Sequence, residues 1–87
     1  MRKLEIEIRD RIRNKILNKH GVMQEEIKQV LSDNPYIIKI RKKRYMAIGC
    51  YYRFITIIFE ITKNKAFIIT AYPSSKKQIK LYKFKKQ

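Results

Sequence analysis

The sequence has one cysteine, one histidine, two glycines, two prolines and no tryptophan among its 87 residues. Each shortage removes a class of chemistry. Cys50 alone cannot close an intramolecular disulfide, so nothing argues for an oxidising compartment and the cytoplasm is the expected location. One Cys and one His cannot assemble a structural zinc site. Gly21 and Gly49 do not make a glycine-rich phosphate loop, and no Cys–His spacing suggests a nucleophile pair. Long apolar runs are also missing. The most apolar stretches, Phe54 to Ile61 and Ala66 to Ala71, fall far short of the roughly 20 residues a membrane-spanning helix needs. Met1-Arg2-Lys3 carries the charge of a secretory leader, but Glu5, Glu7, Arg9 and Asp10 interrupt the apolar segment that would have to follow. Neither a membrane span, a metal nor a cofactor is expected.

Acidic residues are scarce: 7 against 22 Lys and Arg, for a formal net charge of +15. The imbalance is also uneven along the chain. Residues 1–33 carry six acids and eight Lys/Arg, whereas residues 34–87 carry fourteen Lys/Arg and Glu60 alone. So one-sided a field attracts polyanions, and nucleic acid is the expected partner. Catalysis by paired carboxylates or by two metal ions would need acids near the later segment, where only Glu60 lies. Solubility alone calls for a charge of only about 2–8.

With 45% hydrophobic residues the chain reads as one globular domain over 1–87. Leu4, Ile6 and Ile8 alternate with charged residues as in a short strand, while Ile8, Ile12 and Ile16 follow helical spacing, so the start is open between strand and helix. The first helix is expected to end at Lys19 or His20, with Gly21 as a left-handed cap. A second, from about Met23 to Ser32, buries Ile27, Val30 and Leu31 and stops at Asp33-Asn34-Pro35. β-rich runs follow at Tyr36–Arg41, Arg44–Gly49, Arg53–Ile61 and Lys65–Ala71, with breaks too short for crossovers, which predicts a four-stranded antiparallel meander. Ser75-Lys76-Lys77-Gln78 has the form of a capping box opening a third helix to about Lys83. The class is α+β: a helical segment (1–33), an antiparallel sheet (34–72), and a basic C-terminal helix and tail (73–87).

His20-Gly21-Val22, Glu25-Glu26 and Val30, Arg44-Tyr45-x-Ala47-Ile48-Gly49, Arg53, Ile69-Thr70-Ala71 and Tyr82 on a basic helix resemble, in order and spacing, the BrnT-like toxins. The resemblance covers about residues 15–84. It implies a RelE-like fold, metal-independent endoribonuclease activity that inhibits translation, and a cognate antitoxin that also binds DNA, of the ribbon-helix-helix type. A homodimer is compatible with it. The chain departs from the family pattern at three places. Ile16 stands where many members have Asn, Tyr72 follows Thr70-Ala71 where many have Arg, and the acidic residue usual in the last helix is here Lys77 or Gln78.

Metal-independent RNA cleavage needs a base for the 2′-hydroxyl, an acid for the leaving 5′-oxygen, and cations for the phosphate's developing charge. His20 is the single histidine, and imidazole suits either proton role, although beside Gly21 it serves equally well as a helix C-terminal cap. Arg53 and Arg44 open neighbouring strands and are read as reaching one sheet face or rim, where a guanidinium grips phosphate through paired hydrogen bonds. Arg53 is favoured, since Arg44 beside Arg41, Lys42 and Lys43 also reads as edge charge. Tyr82, and less strongly Tyr45 and Tyr72, are phenols able to donate a proton, and Lys77 is a candidate acid. Tyr51-Tyr52 are read as a stacking platform. The catalytic candidates are therefore His20, Arg53, Tyr82 and Lys77. Arg41, Lys42, Lys43, Arg44, Lys76, Lys80 and Lys83 are the candidate RNA contacts, expected on the sheet side and last helix, a surface an antitoxin would also cover. A catalytically silent nucleic-acid-binding module and a purely protein-binding subunit remain open alternatives.

Overall fold

The computed structural model describes residues 5–86. The charged opening Met1-Arg2-Lys3, Leu4 of the alternating start, and Gln87 of the Lys-rich tail lie outside the described residues. Strand β1 (Glu5–Glu7) leads into helices α1 (Asp10–His20) and α2 (Gln24–Ser32). Strands β2 (Tyr36–Arg41), β3 (Arg44–Tyr51), β4 (Arg53–Thr62) and β5 (Lys65–Pro73) follow, and α3 (Lys76–Lys85) closes the chain. The α+β class expected from the pattern is the one observed.

The meander is present, but the sheet has five strands in the order β1-β5-β4-β3-β2. β1 pairs parallel with β5, Ile6 opposite Ala66 and Glu7 opposite Phe67, so the sheet is mixed rather than purely antiparallel. This settles the start of the chain: Ile6 belongs to a strand, and helical spacing takes over only at Asp10. The pairing covers part of β5's outer edge, packs Ile6 against the core and brings Lys65 Nζ to 3.8 Å from a Glu7 carboxylate oxygen.

α1 and α2 lie on one face of the sheet, α1 over β5 and α2 over β3 and β4. The buried residues at their helical spacings, Ile16, Ile27 and Val30, meet Ala47, Ile55, Ile57, Phe59, Ala66, Ile68 and Ala71 from the strands. Simple alternation along β5 would not give that set, because Ala71 and Ile68 are three residues apart. A bulge at Ile69 reconciles them: Thr70 pairs with Ile58 while Ile68 pairs with Phe59, and the extra residue returns Ile68 and Ala66 to the helix side.

Two glycines have definite duties. Gly21 caps α1 with φ +64°, donating its N–H to the Leu17 carbonyl at 2.9 Å. Gly49 allows α2 to approach β3: a Cβ there would lie 2.8 Å from Val30 Cγ1 and 3.4 Å from Pro35 Cβ. Val30 is buried and branched at Cβ, so it has little room to turn aside. Gly49→Ala is expected to lower stability by about 1–3 kcal/mol in urea unfolding; an unchanged midpoint would contradict this account of the α2–β3 contact.

Candidate active site

β4 begins and β5 ends at the same edge of the sheet, because the two run antiparallel with Ile55 opposite Pro73. The end of α1 and the start of α3 converge on that edge. Arg53, the first residue of β4, points to the α1–α2 side. Its Nε and Nη2 donate to the two Glu26 carboxylate oxygens at 3.0 and 3.1 Å, and Nη2 also donates to the Gly21 carbonyl at 2.8 Å. Glu26 in turn accepts the Met23 N–H at 2.9 Å, and as a carboxylate in the first turn of α2 it suits the helix dipole. One guanidinium thus joins the last cap of α1, the first turn of α2 and the start of β4. The Arg53 hydrogen bonds hold the Glu26 carboxyl below its ordinary pKa against the opposing effect of burial, and Glu26 raises that of Arg53.

On the other face a second network surrounds Gln78 in the first turn of α3. Ser75 and Gln78 form the capping box: Ser75 Oγ accepts the Gln78 N–H at 3.2 Å, and Gln78 Oε1 accepts the Ser75 N–H at 2.9 Å. The same Oε1 accepts from Thr56 Oγ1 at 3.0 Å, while Nε2 donates to the Tyr72 hydroxyl at 3.1 Å and to Met46 Sδ at 3.6 Å. Thr56 has no measurable exposure. Its one proton goes to Gln78, so Ser74 Oγ must donate in the 2.7 Å contact between the two hydroxyls. Tyr72, opposite Thr56 in the β4–β5 pairing, lies with its ring centroid 5.9 Å from that of exposed His20. β1 pairs with β5 only as far as Phe67, which leaves this end of β5 open to the approach. Next along β4, Phe54 packs edge-on against Tyr82 at 5.4 Å, with Lys83 Nζ 5.8 Å from the Phe54 ring centre.

The structure therefore brings His20, Arg53 and Tyr82 to one end of the sheet. His20 adjoins Gly21, which Arg53 holds, and Tyr82 packs on the residue following Arg53. Lys77 lies one position before Gln78 on α3 and is exposed, as are Lys76, Lys80 and Lys83. Arg44 does not join them, contrary to the expectation that it shares a face or rim with Arg53. Neighbouring antiparallel strands open at opposite ends: Arg44 pairs with Glu60, seven residues along β4 from Arg53, or about 23 Å at 3.3 Å per residue. Seven is odd, so the two side chains also leave opposite faces. Arg44 donates to Glu60 Oε2 from Nη2 at 2.8 Å and from Nε at 3.2 Å. Glu60, whose side chain is 40% exposed, pairs with Arg44 on the solvent side of the strand. Arg41, Lys42 and Lys43 are at that far end, so the basic residues form two separate groups.

Gln78, Thr56 and Ser74 are not among the site residues that the sequence pattern points to. The capping pattern marked Gln78, but only the strand register shows that its side chain also reaches Thr56 and Tyr72. The site is an open surface rather than a cavity. A shallow cleft of about 390 Å³ lies toward the other end of the sheet, lined by Glu7, Glu60, Thr62, Phe67 and neighbours. Among the described residues no three His, Cys, Asp or Glu side chains are grouped to hold a metal ion, and no helix is long and apolar enough to cross a membrane.

The elements and their order define a three-helix, five-stranded α+β fold with a basic, open site at the β4–β5 end. That fold is shared with the crystal structure of the Brucella abortus ribonuclease toxin BrnT, with a TM-score of 0.69 and 22% identity over 85% of this chain and 100% of that one. No protein-family model matches the sequence, and no curated protein is significantly similar to it. The resemblance read from the sequence is thus borne out in the fold.

The Arg53 clasp has a pH signature. Because Glu26's pKa is depressed in the folded state, the stabilisation is present above the carboxylate's ordinary value of 4.5 and is lost as pH falls through the lower, folded one. The pair is partly exposed, so its worth is about 1 kcal/mol. Glu26→Gln should be less stable than the parent by about that amount at pH 7, with the gap closing on acidification below the ordinary carboxylate range. Urea unfolding across pH 3–7 measures it, and a pH-independent gap would show that the ion pair is not its source.

Proposed function

We propose that the protein is the toxin of a toxin–antitoxin pair and a metal-independent endoribonuclease acting in the cytoplasm. The observation that carries the reading is the convergence of an exposed histidine, two tyrosines and a lysine-rich helix on one open end of the sheet. The fold shared with a ribonuclease toxin supports it. A single-stranded RNA laid across this end meets His20 and Tyr72 beside β5, Tyr82 and Phe54 on β4, and the lysines of α3. In this reading His20 accepts the 2′-hydroxyl proton, and Lys77, Lys80 and Lys83 hold the phosphate charge. Arg53, whose guanidinium is engaged by Glu26 and Gly21, holds the end of α1 that carries His20. Tyr52, 93% exposed at the β3–β4 turn, offers a face for base stacking at the rim.

The Arg41 to Arg44 group serves as a second phosphate contact along the strand direction. A net charge of +15 also suits an acidic antitoxin covering the α3 side and blocking access to RNA. A ribbon-helix-helix antitoxin that represses its own operon fits this arrangement.

Incubation of the purified protein with RNA in EDTA is expected to give discrete fragments ending in 2′,3′-cyclic phosphate. His20→Ala should reduce the rate by about 10²–10⁴-fold, and Arg53→Ala should reduce it through displacement of His20. Tyr82→Phe, which keeps the ring against Phe54, tests the hydroxyl alone. Salt-sensitive RNA binding with no cleavage by the parent protein would favour a catalytically silent nucleic-acid-binding module instead.

A further inference from the structure

Tyr72 is better held than any other phenol at this end of the sheet. Its hydroxyl oxygen accepts a hydrogen bond from Gln78 Nε2, and Gln78 cannot readily turn away. The Gln78 carbonyl is fixed by the Ser75 N–H and the Thr56 hydroxyl, and Thr56 is fully buried and engaged by Ser74. Because the amide supplies the donor, the phenol's own proton is not used in that bond. No protein acceptor for it occurs among the described contacts, so it is available to a ligand. Tyr82, by contrast, is placed through its ring on Phe54, and among the described residues no hydrogen bond orients its oxygen. The Tyr72 and His20 rings are 5.9 Å apart and tilted by 55°. At that distance and tilt the two rings are in contact, so the imidazole and the phenol share one exposed patch from which both can reach the oxygens of a single phosphodiester through hydrogen bonds of about 2.6–3.2 Å.

We propose that Tyr72 is the catalytic proton donor to the leaving 5′-oxygen, with Gln78 as its positioning residue. The proposal rests on the ribonuclease reading and names a residue for the step that reading leaves unassigned. As the 2′-oxygen bonds to phosphorus, His20 takes the 2′-hydroxyl proton. The bond from phosphorus to the 5′-oxygen breaks, and Tyr72 passes its phenolic proton to that oxygen, leaving a 2′,3′-cyclic phosphate and a 5′-hydroxyl. The resulting phenolate keeps the Gln78 N–H, a bond that strengthens when its acceptor is charged. Exchange with water then returns a proton to Tyr72 and removes the one on His20.

The test compares an ordinary RNA substrate with one whose scissile 5′-oxygen is replaced by sulfur, which departs as a thiolate and needs no proton donor. Tyr72→Phe removes one oxygen and keeps the ring beside His20, and circular dichroism checks that it folds. With the oxygen substrate it is expected to cleave at least about 100-fold more slowly than the parent, and with the sulfur substrate within about threefold of it. Gln78→Ala should show a smaller loss that is also relieved by sulfur, a pattern that general loosening of α3 would not give. Equal losses on both substrates, or full activity of Tyr72→Phe on the oxygen substrate, would overturn the assignment while leaving the ribonuclease reading intact. A parent protein that cleaves neither substrate would overturn both.

Discussion

The guanidinium of Arg53 is the point on which the geometry of the site depends. It holds the carbonyl that follows α1, the carboxylate in the first turn of α2 and, through its own backbone, the first residue of β4. The two helices pack on the sheet through apolar contacts that leave some freedom to slide, and a bidentate pair to a carboxylate removes it at one end. Since His20 is the last residue of α1, fixing Gly21 fixes where the imidazole sits. An arginine read as a phosphate grip from its sequence position is engaged within the protein, where it holds Glu26 and the Gly21 carbonyl.

The two faces of the sheet communicate at this edge because β4 alternates. Arg53 faces the helix pair, and its neighbours Phe54 and Thr56 face α3, where they meet Tyr82 and Gln78. The polar network around Gln78 is nearly closed within the protein, with every side-chain hydrogen-bonding group of Thr56 and Gln78 engaged. Satisfied buried networks hold their members in one arrangement. The outer surface of α3 beside it is lysine-rich, with Lys76, Lys77, Lys80 and Lys83 exposed.

Much of this architecture is legible in the sequence, and what is not has identifiable causes. The helix spacings, Gly21, the Asp33-Asn34-Pro35 stop, the hairpin breaks and the Ser75–Gln78 capping box are local signals, and each appears in the fold. β1 was ambiguous because its pairing with β5 spans some sixty residues of sequence and is parallel, so no turn announces it. The Ile69 bulge breaks a period-two pattern that a sequence reader must assume. At the site, His20 and Tyr82 could be chosen by residue type, whereas the pairing of Arg44 with Glu60 and of Arg53 with Glu26 depends on strand polarity and helix placement. Gln78 was visible as a cap but not as a partner of Tyr72, because a capping residue's second contact lies across the fold.

The central claim is that RNA engages the β4–β5 end of the sheet, between His20 and α3. The most direct measurement is amide chemical-shift mapping of the labelled protein titrated with a short single-stranded RNA made uncleavable by 2′-O-methylation. The account predicts that the largest perturbations fall on His20, Gly21, Phe54, Tyr72, Gln78 and Lys83, with smaller ones along Arg41 to Arg44. Perturbations confined to the Arg41–Arg44 turn, with His20, Tyr72 and α3 unmoved, would contradict it.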